Sequence, residues 1–208
     1  MESVLVTLIK SLVLIIVLLT VFAYLTVLER KTLGYFQLRV GPNRVGPWGL
    51  LQPLADGVKA LFKEDIIPAG ADPWVFRLAP IISVFTALGA FSVIPVGPPV
   101  EIWGQTVNLS IIDPPAGVLV MFAFTGLSVY GIALGGWASQ SKYSLLGAMR
   151  STAQMISYEL AMGLSLLGVF MLSGSLRLPD IVAAQENLPF VLLQPIGFII
   201  FSISVIAE

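Results

Sequence analysis

The chain has 208 residues, 57% hydrophobic and only 11% charged, with a formal net charge of −1 and a mean hydropathy of +0.94. A soluble domain carries about 25% charged residues, so this chain cannot coat a water-facing surface, and the same figures exclude disorder. Without Cys or His there is no disulfide, thiolate-held iron–sulfur cluster, usual zinc site or His-ligated haem, and no Cys–His or Ser–His–Asp nucleophile.

Any electrons that reach the protein are therefore carried by another chain. Nucleic acid is excluded as a partner, because no segment is strongly basic with interleaved aromatics. An apolar run of about 20 residues spans a bilayer core of ~30 Å. Five stretches predict such spans, at residues 4–28, 75–96, 116–138, 147–172 and 188–207. The fold class is an all-α polytopic membrane protein, read as a single membrane domain over 1–208.

The first span holds Lys10 as its only charge. After it come Glu29-Arg30-Lys31 and then a loop in which Gly41-Pro42 and Gly46-Pro47 flank Asn43-Arg44. Gly tolerates positive φ and Pro fixes φ, so this loop is shaped rather than floppy. Its Arg39 and Arg44 fit positive-inside anchoring, or a surface that docks a partner or ligand. Residues 50–63 follow with helical periodicity. At about 100° per residue, Leu50, Leu51, Leu54, Val58, Leu61 and Phe62 share one sector, with Gln52, Asp56, Lys59 and Lys63 opposite. Pro53 suits a first helical turn. Such a helix is too short to span and lies in the membrane interface.

Beyond the second span, residues 100–103 and 106–111 flank Gly104-Gln105. Gly first in a two-residue loop predicts a β-hairpin with a type II′ turn, bracketed by Pro98, Pro99, Pro114 and Pro115. Loop Lys and Arg cluster in the first and third connections, which puts the N-terminus outside and those loops in the cytoplasm, matrix or stroma. The fourth span carries Arg150 and Glu159. Glu159 lies roughly 18 Å into it at 1.5 Å per residue. A carboxylate at that depth costs at least ~2.5–3.5 kcal/mol and usually serves as a proton relay or as half of a pair; here the candidate partner is Arg150. Arg150, Gln154 and Ser157 follow i, i+4, i+7 spacing and form a polar stripe, for hydrogen bonds between helices or for a water path. The fifth run reaches almost to the last residue, Glu208, which reads as the N-terminal part of a longer chain.

Residues 29–31, 34–47 and 49–64, with Gly136-Trp137-Ala138-Ser139-Gln140-Ser141-Lys142-Tyr143 and 146–159, closely resemble the H-subunit family of proton-translocating NADH:quinone oxidoreductase (complex I), whose mitochondrial counterpart is NADH dehydrogenase subunit 1. The resemblance covers essentially the whole chain, in order. It implies a membrane-arm subunit that forms a quinone-access chamber and couples quinone reduction to proton translocation. It implies a bacterial inner membrane, or an organellar one. Quinone is the implied substrate, and FMN and iron–sulfur clusters are expected on partner subunits, with no cofactor in this chain. The implied partners are the peripheral quinone-site and cluster subunits and the small membrane-arm subunits.

By the same resemblance Glu159 and Glu208 belong to a chain of proton-relaying acidic groups. Glu29, Arg30, Arg39, Arg44, Asp56 and Glu64 belong to the quinone chamber or tunnel. A related membrane-bound hydrogenase anchor is the nearest alternative. A stand-alone secondary transporter is a further one, though it calls for an inverted repeat of spans and none is evident.

Overall fold

The computed structural model describes residues 4–97, 100–102, 105–107 and 109–207. The chain forms two compact units, Met1–Ile66 and Ile67–Glu208. Among the described residues, four helices are long and apolar enough to cross a membrane, and the protein is a helical membrane protein.

In the first unit, α1 (Val4–Phe36) has 33 residues, or about 50 Å at 1.5 Å per residue. It outruns the apolar stretch because Glu29, Arg30 and Lys31 are good helix formers. It ends where Leu38 takes a left-handed φ of 52°. The Arg39 amide then donates to the Gly34 carbonyl at 2.9 Å and the Leu38 amide to the Tyr35 carbonyl at 3.2 Å, the paired bonds of a Schellman stop. The loop that follows is tightly folded. Gly49 has φ +75°, and a Cβ there would collide with the Pro42 carbonyl. The Leu51 amide donates to the Val45 carbonyl at 3.2 Å. The amphipathic helix α2 (Gln52–Leu61) has Pro53 in its first turn.

The second unit opens with α3 (Pro73–Ser92). Asp72 caps it, accepting from the amides of Trp74 at 3.0 Å and Val75 at 3.3 Å. The helix continues through Pro80, which a membrane helix tolerates when its surroundings satisfy the freed carbonyl. Two short strands follow, β1 (Val100–Ile102) and β2 (Gln105–Val107). They pair antiparallel, Val100 with Val107, Glu101 with Thr106 and Ile102 with Gln105.

This register corrects the expected turn. Gln105 is a paired strand residue, not a turn residue, and the pairing sets β-branched Val100 opposite β-branched Val107. The expected turn residue Gly104 lies outside the described residues. Two backbone bonds tie this segment to the end of α3, from Val96 to the Leu109 carbonyl at 3.3 Å and from Ile112 to the Ser92 carbonyl at 3.0 Å.

Helices α4 (Gly117–Ala138) and α5 (Lys142–Ser173) come next, then the short α6 (Leu178–Ala183). Contacts run α3 to α4, α4 to α5 and α5 to the final helix. The expected span at 188–207 is not one helix. It divides into α7 (Phe190–Leu193) and α8 (Pro195–Ala207). Pro195 disfavours the α conformation in the residue before it, and Gln194 sits at φ −135°, ψ 61°.

Close approach at small residues holds this unit together. A Cβ on Gly131 would collide with Ser83 Oγ, and one on Gly136 with Ala148. Ala79, Ala90, Val118, Val129 and Ala148 are buried at these seams.

The first loop supplies a test. In lipid nanodiscs, Gly49→Ala should open the loop and speed tryptic cleavage at Arg39 and Arg44 at least about fivefold, since a non-glycine residue in the left-handed region costs about 1–2 kcal/mol before the collision is added. Gly57→Ala on α2 has nothing within 4 Å and should leave cleavage unchanged. Equal rates for the two variants would refute the tight-loop account.

Candidate functional site

The sequence-predicted residues fall into both units. In the first, α1 and α2 bring two of them together. Arg30 Nη1 donates to Asp56 Oδ2 at 2.6 Å, and Gln52 Nε2 donates to Asp56 Oδ1 at 2.9 Å. Gln52 and Asp56 are one helical turn apart on the same edge of α2, and Asp56 meets Arg30 of α1 there. The Gln52 hydrogen bond, followed by that of Arg30, holds the Asp56 carboxyl below the usual carboxylate range.

The pair is largely exposed and adds little stability by itself. Its effect is orientation. With its polar edge fixed on α1, α2 leaves Leu54, Val58 and Leu61 exposed, with Phe62 beyond its end. Glu29, Arg39, Arg44 and Glu64 are exposed, and the ion pair does not include them.

In the second unit, α5 carries Glu159 inward against α4. The residue lies 17 positions from Lys142 and 14 from Ser173, so about 26 Å and 21 Å from the two helix ends. Its partner is the Thr125 hydroxyl of α4, with Oγ1 2.6 Å from Glu159 Oε1. That separation falls in the range of an O–H···O⁻ bond. Arg150 is exposed, and no ion pair among the described residues involves Glu159. Gly126 of α4 faces the carboxylate, and a Cβ there would make an ordinary contact 3.5 Å from Oε2. A cavity of about 470 Å³ opens beside it, lined by Phe122, Ile156, Leu160, Leu164 and other apolar groups. The arrangement can hold a carboxylate at mid-helix without a counter-ion.

The polar stripe divides. Gln154 Nε2 donates to the Ala207 carbonyl at 2.7 Å, joining α5 to the end of α8. Ser157 turns back to the Ala153 carbonyl of its own helix at 2.8 Å. Glu208 lies outside the described residues.

Sequence reasoning missed Thr125, which carries no charge and stands in an apolar run. It also missed a clasp at the other end of α5. Arg177 donates through Nε to Asp113 Oδ1 at 2.9 Å and through Nη2 to Asp113 Oδ2. It reaches Asp180 at 3.4 Å, and Asp180 accepts from the Ser175 hydroxyl at 2.9 Å. The Arg177 hydrogen bond holds Asp113 below the usual carboxylate range, and Asp113 raises Arg177 in turn. The available signal was Arg177 itself, a lone cation in its connection.

The family model described as NADH dehydrogenase matches residues 9–208. A Geobacter metallireducens protein named as an H subunit of NADH-quinone oxidoreductase is 56% identical over 192 residues, which are 92% of this chain and 58% of that protein. The Deinococcus deserti protein named as the H subunit of the same oxidoreductase is 55% identical over 99% of this chain and 53% of its own length. A Thermus thermophilus protein named NADH-quinone oxidoreductase subunit 8 is 51% identical over 96% of this chain and 54% of its own length. The chain therefore belongs to the NADH dehydrogenase family, and it spans a little over half the length of these curated relatives.

The clasp predicts an acid-side weakness. A carboxylate whose folded pKa is depressed adds stability that is fully present above its unfolded pKa of about 3.9 and is lost as pH falls through the folded value. Thermal unfolding in detergent should therefore be flat with respect to this group at neutral pH and decline below about pH 4. Asp113→Asn should lower the midpoint at pH 7 and flatten that acid decline. A variant that keeps both the midpoint and the decline would exclude the clasp as their source.

Proposed function

We propose that this chain is part of the membrane-arm H subunit of respiratory NADH:quinone oxidoreductase, working in a bacterial inner membrane. The observation that carries the mechanistic reading is Glu159, a carboxylate near the middle of a 32-residue apolar helix whose partner is a hydroxyl rather than a cation. Holding an unpaired charge there is expensive, and such groups characteristically move protons. Family membership supports the wider assignment, since the relatives are named as subunits of this oxidoreductase.

In this reading Glu159 accepts and releases a proton during turnover, and Glu208 continues the relay. Glu29, Arg30, Arg39, Arg44, Asp56 and Glu64 belong to the quinone chamber or tunnel. The Arg30–Asp56 bond fixes α2 so that Leu54, Val58 and Leu61 meet lipid or the isoprenoid tail, whose burial is worth about 25 cal/mol per Å² of apolar area. The quinone head is reduced by electrons from FMN and iron–sulfur clusters held on peripheral partner subunits.

Coupling is electrostatic. A change of charge on the quinone shifts the protonation of the acidic groups, because interacting sites titrate together. The membrane domain is one functional body with the N-terminus outside, the paired strands on the outer side, and 188–207 serving as a fifth, interrupted span. Small membrane-arm subunits complete the assembly.

The test uses the full-length protein in its assembled complex. Glu159→Gln should leave complex content unchanged while lowering NADH-driven proton pumping about tenfold or more, the loss of roughly 1.4 kcal/mol of barrier stabilisation. Arg30→Ala should weaken quinone reduction more than electron transfer to a soluble acceptor. Unchanged pumping in the Glu159 variant would remove the relay role. A complex that assembles and works without this subunit would remove the assignment itself.

A further inference from the structure

We propose that Thr125 is a positioning residue for Glu159, its hydroxyl turning between the carboxylate and the Phe122 carbonyl as Glu159 loses and gains a proton. The inference rests on the reading of Glu159 as a proton carrier and adds to it the group that holds the carboxyl in both of its states. Thr125 Oγ1 stands 2.6 Å from Glu159 Oε1 and 3.0 Å from the Phe122 carbonyl oxygen. Both acceptors are within hydrogen-bond range at once, but a hydroxyl has one hydrogen.

The two charge states of Glu159 make opposite demands on that hydrogen. An ionised carboxylate only accepts, so the hydroxyl hydrogen points to Oε1. When a proton arrives on the carboxylate, the acid O–H becomes a donor and Thr125 Oγ1 can accept it. The threonine hydrogen then swings to the Phe122 carbonyl, three residues back on its own helix. One proton is added to Glu159, and Thr125 keeps its own hydrogen throughout. No backbone movement is needed, because both acceptors already sit around Oγ1.

The surroundings make this hydroxyl matter. The cavity beside Glu159 is lined by Leu119, Phe122, Ile156, Leu160, Leu164 and other side chains with no polar atom to offer. On the α4 side Gly126 presents only backbone. Thr125 is thus the polar side chain that meets the carboxyl from the facing helix. A fixed donor would suit the ionised form and lose its bond once Oε1 itself carries the proton. A fixed acceptor would do the reverse. A rotating hydroxyl with a spare carbonyl serves both, and leaves neither form with an unmade hydrogen bond.

The experiment compares Thr125→Val, which keeps the shape and removes the hydroxyl, with Thr125→Ser, which keeps the hydroxyl and removes the methyl. Both are made in the full-length subunit within the assembled membrane complex, alongside Glu159→Gln. Two readouts are taken at equal complex content. These are NADH-driven proton pumping and the infrared carboxyl band, assigned by its loss in Glu159→Gln. Thr125→Val should slow pumping about tenfold, as expected for one lost bond to a charged group, and should shift the Glu159 band. Thr125→Ser should restore the band and bring pumping to within about twofold of the parent.

The opposite pattern, a competent valine and an impaired serine, would mean that Thr125 acts by packing and would overturn the proposal. So would an unshifted band with normal pumping in Thr125→Val. Normal pumping in Glu159→Gln would instead remove the carrier reading on which the proposal rests.

Discussion

A helix surrounded by hydrocarbon gains nothing by hiding its leucines from that hydrocarbon. Association then depends on close van der Waals contact and on hydrogen bonds between helices. The second unit obeys this constraint at every seam. Gly131 of α4 lies so near α3 that a Cβ would stand 2.9 Å from the Ala79 carbonyl, and Gly197 of α8 would bring one within 3.3 Å of the Ser165 carbonyl on α5. Large apolar side chains such as Phe85, Leu164 and Ile203 remain exposed instead. The same closeness between α4 and α5 allows a short threonine to reach a glutamate across the seam. A Cβ at Gly136 would collide with Ala148 and force this seam apart.

With charge so scarce, how each charge is neutralised becomes informative. Arg30 and Asp56 meet where the first apolar run gives way to the amphipathic helix. Arg177 grips Asp113 beside the paired strands and reaches Asp180 as well. Both arrangements include an arginine, whose planar fork suits carboxylates, and both lie outside the long apolar runs. The first joins α1 to α2, and the second joins the segments on either side of α4 and α5. Glu159 differs on each count. It is deep in a long apolar helix, it has no cationic partner among the described residues, and its hydrogen bond comes from a neutral group.

The long helices were legible because 20 or more apolar residues in a row have few other solutions. Glu159 was legible because a charge in such a run has to be explained. The shaped first loop could be read from Gly41-Pro42 and Gly46-Pro47, and the amphipathic helix from its periodicity. What escaped was register and partnership. The strand pairing is displaced from the expected Gly104-Gln105 turn, a shift that local turn chemistry alone does not decide. The break at Gln194 follows from Pro195, whose effect on the preceding residue is masked in the sequence by the apolar run around it. Thr125 and Asp113 are 34 and 64 positions from their partners, and nothing in a linear pattern joins residues so far apart.

The choice of a hydroxyl rather than a guanidinium opposite Glu159 has an energetic logic of its own. Removing one charge from a buried ion pair leaves the other uncompensated and costs about 3–5 kcal/mol. A carboxylate so paired would resist protonation, because neutralising it would strand the cation. A hydroxyl carries no net charge to strand. Its bond to a carboxylate is worth about 1.5–3 kcal/mol and to a neutral group about 0.5–1.5, so it favours one partner over the other only modestly. A carboxylate outside the long spans, such as Asp56 or Asp113, is served well by a permanent cation. For the proposed relay, a neutral, rotatable partner held by close-packed helices leaves no cation to be stranded when the carboxylate takes up a proton.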